Sequence, residues 1–75
     1  MQKEIDNLCK NIAVLRDRNH LSKDAMAKVM GISSKTLEVI ESGVLPDGFC
    51  CDSLARIQDA FGIPMNELFL SWETE

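Results

Sequence analysis

The sequence predicts an all-α fold built as a compact arrangement of five short helices. Apolar residues recur at intervals of three and four along most of the chain, which is the spacing of a helix with one buried face. No segment alternates polar and apolar residues for long enough to indicate a strand. Glycine, proline and serine residues separate the helical segments, and the predicted helices are 3–18, 23–30, 34–42, 52–61 and 65–71.

The first three helices are predicted from apolar stripes and capping residues. Ser22 and Ser33 precede the second and third helices, where a serine hydroxyl can accept a hydrogen bond from a backbone amide of the first turn. Gly31 ends the second helix, and Ser42 with Gly43 ends the third. The predicted inward positions are Ile5, Leu8, Cys9, Ile12, Ala13, Leu15, Met26, Ala27, Met30, Leu37 and Ile40.

A turn and two further helices complete the prediction. The order Leu45-Pro46-Asp47-Gly48 is typical of a type I turn. The fourth helix stops at Gly62, and Pro64 fits the start of the fifth. Their predicted inward residues are Leu54, Ile57, Ala60, Phe61, Met65, Leu68 and Phe69, and residues 72–75 are predicted to lie outside the compact unit.

Length and composition narrow the class of protein. Seventy-five residues suffice for one domain, 1–75, with a small core. The chain has no apolar run of about 18 residues and no signal-peptide pattern, so we expect a cytoplasmic protein without a membrane segment. A single histidine, no nucleophile beside an evident base and no glycine-rich phosphate loop argue against an enzyme. We expect neither a cofactor nor a small-molecule ligand.

The cysteines are predicted to be reduced structural thiols. Three cysteines are an odd number, and Cys50 and Cys51 are adjacent, so they cannot readily join each other. These two also lack the spacer that lets two sulfurs bind one zinc ion, and His20 has no partner at helical spacing. The sequence therefore predicts no metal site.

The charge is unevenly distributed. A net charge of −4 by itself argues against binding to the phosphates of a nucleic acid. Residues 10–35, however, carry six basic and two acidic residues, a net charge of +4, whereas residues 36–75 carry one basic and eight acidic residues, a net charge of −7. This asymmetry indicates a basic face on the first three helices.

One spacing pattern in residues 23–42 points to a known family. Counting Lys23 as the first position, a small residue is fifth and a glycine is ninth, and the fourth, eighth, tenth, fifteenth and eighteenth are apolar. A small fifth residue lets two helices cross closely, and glycine permits a positive φ between them. The pattern resembles the helix-turn-helix of the lambda-repressor-like family, also called the Cro/repressor or XRE type, and the similarity extends over roughly residues 8–70.

The resemblance implies a sequence-specific DNA-binding transcriptional regulator whose third helix, starting near Ser34, lies in the major groove. It implies phosphate contact for Lys23, base reading by Lys35 and Val39, and contact of Ser34 with either a base or a phosphate. Further phosphate contacts fall on Ser33, Thr36 and Ser42. It also implies that Arg16 pairs with Glu41 and braces the first helix against the third.

Two departures and one alternative accompany this interpretation. Glu38 projects from the reading helix and Asp47 follows it, and both carboxylates repel phosphate. Glu38 could instead accept a hydrogen bond from the amine of a cytosine. The alternative is a protein-interaction module, antitoxin-like or an accessory factor, that keeps the helix-turn-helix fold and binds a basic partner through its acidic half. Double-stranded DNA is the expected partner, and a homodimer would form through Phe69, Leu70 and Trp72, unless these residues only cover the core.

Overall fold

Four α-helices and one 3-10 helix form the regular structure. The computed structural model describes residues 2–47, 49 and 51–72. Its elements are α1 (Gln2–Arg18), α2 (Lys23–Met30), α3 (Ser34–Glu41), α4 (Cys51–Phe61) and the 3-10 helix Met65–Phe69. These residues contain no strand, so the predicted all-α class is confirmed. None of the helices they form is both long enough and apolar enough for a membrane span.

The predicted fifth helix, 65–71, is wrong in type and length. The segment is a 3-10 helix that ends at Phe69, and Leu70 adopts an extended backbone. The cause lies in α1, where the amide of Asn11 donates to the carbonyl oxygens of Leu68 at 2.8 Å and of Leu70 at 2.7 Å. Because a side chain satisfies these carbonyls, the segment does not need another helical turn to do so.

Two smaller predictions also need correction, and a third falls partly on a residue outside the described part of the chain. Ala60 is exposed, because Phe61 is the residue of the last turn of α4 that packs against the core. The predicted turn at 45–48 includes Gly48, which lies outside the described residues; next to it, the amide of Phe49 donates to the carbonyl of Pro46 at 3.2 Å. Trp72 was expected outside the compact unit but packs against the core. Residues 73–75 lie outside the described part.

The core brings all five elements together. Its fully buried side chains come from every one of them, so each helix contributes part of its apolar stripe. Burying one such side chain contributes roughly 1.5–3 kcal/mol. The largest buried residues are Leu8, Ile12, Met26, Met30, Leu37, Ile40, Ile57 and Leu68.

The connection between α2 and α3 follows the capping pattern of the sequence. Ser22 accepts a hydrogen bond from the amide of Ala25 at 3.1 Å, and Ser33 accepts one from the amide of Thr36 at 3.1 Å. Between the two helices Gly31 is left-handed, with φ of 75°. The positive φ turns the chain out of the α2 axis, so that α3 crosses α2 instead of extending it.

Candidate nucleic-acid interface

The side of α3 opposite its buried residues is open to solvent. Leu37 and Ile40 are both 0% exposed and define the inward direction. Because successive helical residues are about 100° apart, the opposite side carries Lys35, Glu38, Val39 and Ser42. All four are exposed, and we call them the α3 outer face.

The segment after α3 leaves this face uncovered. Pro46, Asp47 and Phe49 line a cleft of about 370 Å³ together with Ser33 and Thr36. These two residues lie on a different flank of α3 from the α3 outer face. The loop therefore packs beside the start of α3 and away from its solvent-facing side.

Lys35 and Val39 are the predicted base-reading residues that lie on the α3 outer face. The ammonium group of Lys35 has no hydrogen bond or ion pair with any of the described residues, so it is available to a ligand. Val39 is 37% exposed, so its side chain can be reached from solvent. Together they present one cation and one apolar group side by side on the same helix.

Lys23 and Glu38 connect the start of α2 to the α3 outer face. The Nζ atom of Lys23 lies 3.7 Å from Oε2 of Glu38. Both side chains are well exposed, at 44% and 59%. Solvent screens an ion pair of this kind, so it contributes little to stability and separates easily. Lys23 can therefore exchange the carboxylate for a phosphate at low cost.

Ser34 has a partner that the sequence did not reveal. Its hydroxyl donates a hydrogen bond to a carboxylate oxygen of Asp24, the second residue of α2. The two residues are ten positions apart, and only the crossing of α2 and α3 brings them together. Asp24 is thus a residue of the candidate site that the spacing pattern did not predict.

The remaining predicted contacts already have local hydrogen bonds. The hydroxyls of Ser33 and Thr36 lie 2.8 Å apart, and Ser33 also caps α3. The hydroxyl of Ser42 donates to the backbone oxygen of Val39 at 2.6 Å. The seven predicted residues therefore lie in three places. Lys35, Val39 and Ser42 lie on the α3 outer face, and Lys23 and Ser34 lie at its border with α2. Ser33 and Thr36 lie on the cleft side.

Arg56 is a second residue that sequence reasoning missed. It lines the cleft beside Ser33 and Thr36, and Asp47 and Asp52 line the same cleft. A Cβ atom at Gly31 would meet its Nε atom at 3.1 Å, so the guanidinium lies directly against the Gly31 backbone. Its signal in the sequence was its isolation as the single basic residue after position 35. The charged residues that line the cleft are therefore two acids and one base, so the lining does not favour an anion.

Other chemistry finds little support among the described residues. No group of three histidine, cysteine, aspartate or glutamate side chains in this part of the chain could hold a metal ion. Cys9 is buried and Cys51 is exposed, and both are free thiols; Cys50 lies outside the described residues.

Comparison of the chain with protein-family models, with curated proteins and with solved structures gives no match. The geometry of α2 and α3 and the residues they carry are therefore the features that bear on function.

Proposed function

We propose that this protein is a sequence-specific DNA-binding transcriptional regulator of the Cro/repressor type, in which α2, the turn at Gly31 and α3 act as a helix-turn-helix. The observation that carries the proposal is the α3 outer face. It is exposed over its whole length, and it carries a lysine that pairs with no other described residue, beside an accessible valine. A short helix that buries one side in the core and leaves the opposite side exposed has the dimensions of a major-groove reading element.

The chemistry of the face assigns a role to each residue. Lys35 can donate to O6 and N7 of guanine, and Val39 can pack against the methyl group of thymine. Lys23 binds a backbone phosphate after it releases Glu38, and this contact fixes the register of α3 without reading sequence. The exchange replaces a screened ion pair with a contact that releases condensed counterions.

The hydroxyl groups near α3 differ in their capacity for phosphate. One hydrogen is shared between the hydroxyls of Ser33 and Thr36, so one hydroxyl hydrogen of this pair remains for a phosphate oxygen. The Ser42 hydrogen is already used on the Val39 carbonyl, so this hydroxyl must rotate before it can donate to DNA. We therefore rank Ser33 and Thr36 above Ser42 as phosphate contacts.

The experiment is selection of bound fragments from random double-stranded DNA with purified protein, followed by affinity measurements at low and moderate salt. Enrichment of a common sequence is the expected result. With Lys35→Ala we expect a loss of about 1–3 kcal/mol on the selected site and relaxed preference at one base pair. With Lys23→Ala we expect evenly weaker binding to all sequences and a salt slope smaller by about one.

Lys3→Ala is the matched control, because it removes the same charge from an exposed position in the first turn of α1. It should leave sequence preference unchanged. Selection that enriches no common sequence would reject the proposed function, and so would equal effects of the Lys3 and Lys35 substitutions on sequence preference.

A second candidate function is a protein-interaction module that retains the same helices. The observation that favours it is the pairing of Ser34 with Asp24 and of Lys23 with Glu38, which places two carboxylates where DNA phosphates would approach. The acidic half also presents exposed carboxylates at Asp52, Asp59 and Glu67. Under this function, neutralising these three acids weakens binding to a lysine-rich peptide, whereas Lys23→Ala and Lys35→Ala leave it unchanged.

A further inference from the structure

The hydrogen bond between Ser34 and Asp24 fixes what Ser34 can offer to a ligand. A serine hydroxyl has one hydrogen to donate and two lone pairs that accept. A carboxylate only accepts, so the single hydrogen of Ser34 is directed to Asp24. Toward a DNA groove Ser34 therefore presents lone pairs alone. It needs a ligand that donates.

The surrounding charges reinforce this requirement. Glu38 lies one turn after Ser34 on the same side of α3, because residues four apart are neighbours on a helix. Asp24 of α2 and Ser34 and Glu38 of α3 therefore form a short row of acceptors where the two helices meet, with Lys23 at the Glu38 end. A phosphate oxygen is negative and has no hydrogen to donate, so it is repelled beside Asp24 and Ser34, at the end of the row away from Lys23. The row accommodates a hydrogen-bond donor on a base edge.

We propose, on the basis of the DNA-binding function above, that Ser34 reads an exocyclic amino group, N6 of adenine or N4 of cytosine, and that Asp24 is the positioning residue that enforces this choice. These amines are the hydrogen-bond donors that bases expose in the major groove. A base that places its carbonyl oxygen at this point, O6 of guanine or O4 of thymine, meets the Ser34 lone pairs and the Asp24 carboxylate. The result is selection of amino over keto bases at one position of the site.

The test uses synthetic duplexes that carry the selected site with single base atoms removed. Purine in place of adenine and 2-pyrimidinone in place of cytosine each delete one amine. Amines are deleted one position at a time, and dissociation constants are measured for the wild-type protein and for Ser34→Ala. At one position the deletion should weaken wild-type binding by about tenfold, and Ser34→Ala should be insensitive to the same deletion.

Asp24→Ala then tests the positioning role. Without the carboxylate the hydroxyl hydrogen can turn toward the base, so Ser34 can donate as well as accept. We expect the discrimination between an amino and a keto base at that position to fall from about tenfold to less than about threefold, with no loss of affinity for the selected site. Asp59→Ala is the charge-matched control from the exposed side of α4, and it should retain the full discrimination.

The outcomes separate this inference from the proposed function. If no DNA sequence is enriched, the proposed function fails first. If a site is enriched but Ser34→Ala removes the sensitivity to a changed base carbonyl, or to a neutral methylphosphonate in place of a phosphate, the assignment to an amino group is wrong. If the discrimination survives in Asp24→Ala while thermal melts show a folded protein, Asp24 does not position the hydroxyl.

Discussion

The guanidinium of Arg16 in α1 forms a two-point ion pair with the carboxylate of Glu41 in α3. Nε of Arg16 lies 2.7 Å from Oε2 of Glu41, and Nη2 lies 3.2 Å from Oε1. A third N–H group, on Nη1, donates to the backbone oxygen of Leu21 at 3.0 Å. Glu41 is the last residue of α3, so the pair fixes the end of this helix against α1. The predicted brace between the first and third helices is confirmed.

We expect Arg16→Ala to lower the free energy of unfolding by about 3 kcal/mol, because it leaves a largely buried carboxylate without its partner. The hydrogen bond to Glu41 raises the pKa of Arg16, so the guanidinium stays charged at every accessible pH. Urea unfolding of Arg16→Ala, Glu41→Ala and the double variant measures the coupling. Additive losses in this cycle would show that the pair is not coupled, and exposed Lys28→Ala controls for the lost charge.

The left-handed glycines give a second prediction, on the turn that aims α3. Gly31 and Gly62 have φ of 75° and 69°, and an alanine there costs about 1 kcal/mol from backbone strain alone. At Gly62 a Cβ atom has nothing within 4 Å, whereas at Gly31 it meets the Arg56 side chain at 3.1 Å. We therefore expect Gly31→Ala to destabilise more than Gly62→Ala in thermal melts.

Adding Arg56→Ala to each glycine variant separates the two causes. It should bring the loss in Gly31→Ala down to that of Gly62→Ala, because only backbone strain remains. A difference between the glycine variants that persists without the Arg56 side chain would rule out the steric cause.

Asn11 carries a third prediction, because it is 2% exposed and connects α1 to the chain end. Asn11→Asp keeps the shape but replaces the donating amide with an acceptor opposite two carbonyl oxygens. We expect a loss of about 2 kcal/mol at neutral pH. Burial beside carbonyls raises the pKa of the introduced carboxyl. The loss should therefore shrink as the pH falls and the protonated carboxyl becomes able to donate.

Asn7→Asp is the matched control, since Asn7 lies one turn earlier on α1 and donates a single bond, to Phe69 at 3.1 Å. It should cost less. Trp72 is the only tryptophan, and its indole donates to the backbone of Glu67 at 2.9 Å, so fluorescence during urea unfolding reports on this segment. If the loss of stability in Asn11→Asp relative to wild type is the same at every pH, the assigned orientation of the Asn11 amide is wrong.

The Cys9 thiol supports a fourth prediction. Burial raises its pKa, and the nearby negative charge of Asp6 adds to the effect. Folded-state alkylation of Cys9 should therefore be much slower than that of exposed Cys51 in the same molecule, and urea should equalise the rates. Because the pKa of Cys9 is higher in the folded than in the unfolded state, its neutral thiol contributes to stability. This contribution is complete below the unfolded pKa and declines as the pH rises toward the folded pKa.

Peptide mass spectrometry after a short pulse of iodoacetamide distinguishes the two cysteines. Equal labelling in the folded protein would mean that Cys9 is accessible. Stability should fall less at alkaline pH in Cys9→Ala than in the wild type, because the variant lacks this thiol.

Much of the fold followed from local patterns in the sequence. The bounds of α2, the serine caps at Ser22 and Ser33 and the turn at Gly31 depend on residues within four positions of each other, and all are confirmed. What local patterns missed depends on long-range contacts. The 3-10 segment ends where it does because Asn11, more than fifty residues earlier, binds its carbonyls.

The same distinction applies to the candidate site. The family resemblance pointed to Lys35 and Val39, and both lie on the exposed side of α3, because a helix period fixes which residues share a face. It could not identify Asp24 as the partner of Ser34 or bring Arg56 to Gly31, since both contacts arise where separate helices cross. The role of the face in DNA binding stays a prediction.

A homodimer through the chain end is the last prediction, because two-fold repressors place their reading helices about 34 Å apart on successive grooves. Trp72 is occupied within the chain, by its indole hydrogen bond and by Arg18 at 5.6 Å from its ring, and Phe69 packs against the core. Leu70 is 56% exposed and is the apolar side chain of the three that a second copy can reach. We expect Leu70→Glu to lower the mass in light scattering, whereas Val44→Glu, equally exposed at 54%, should leave it unchanged. The same mass for wild type and both variants would exclude Leu70 from an interface, and Trp72→Ala should reduce stability in either case.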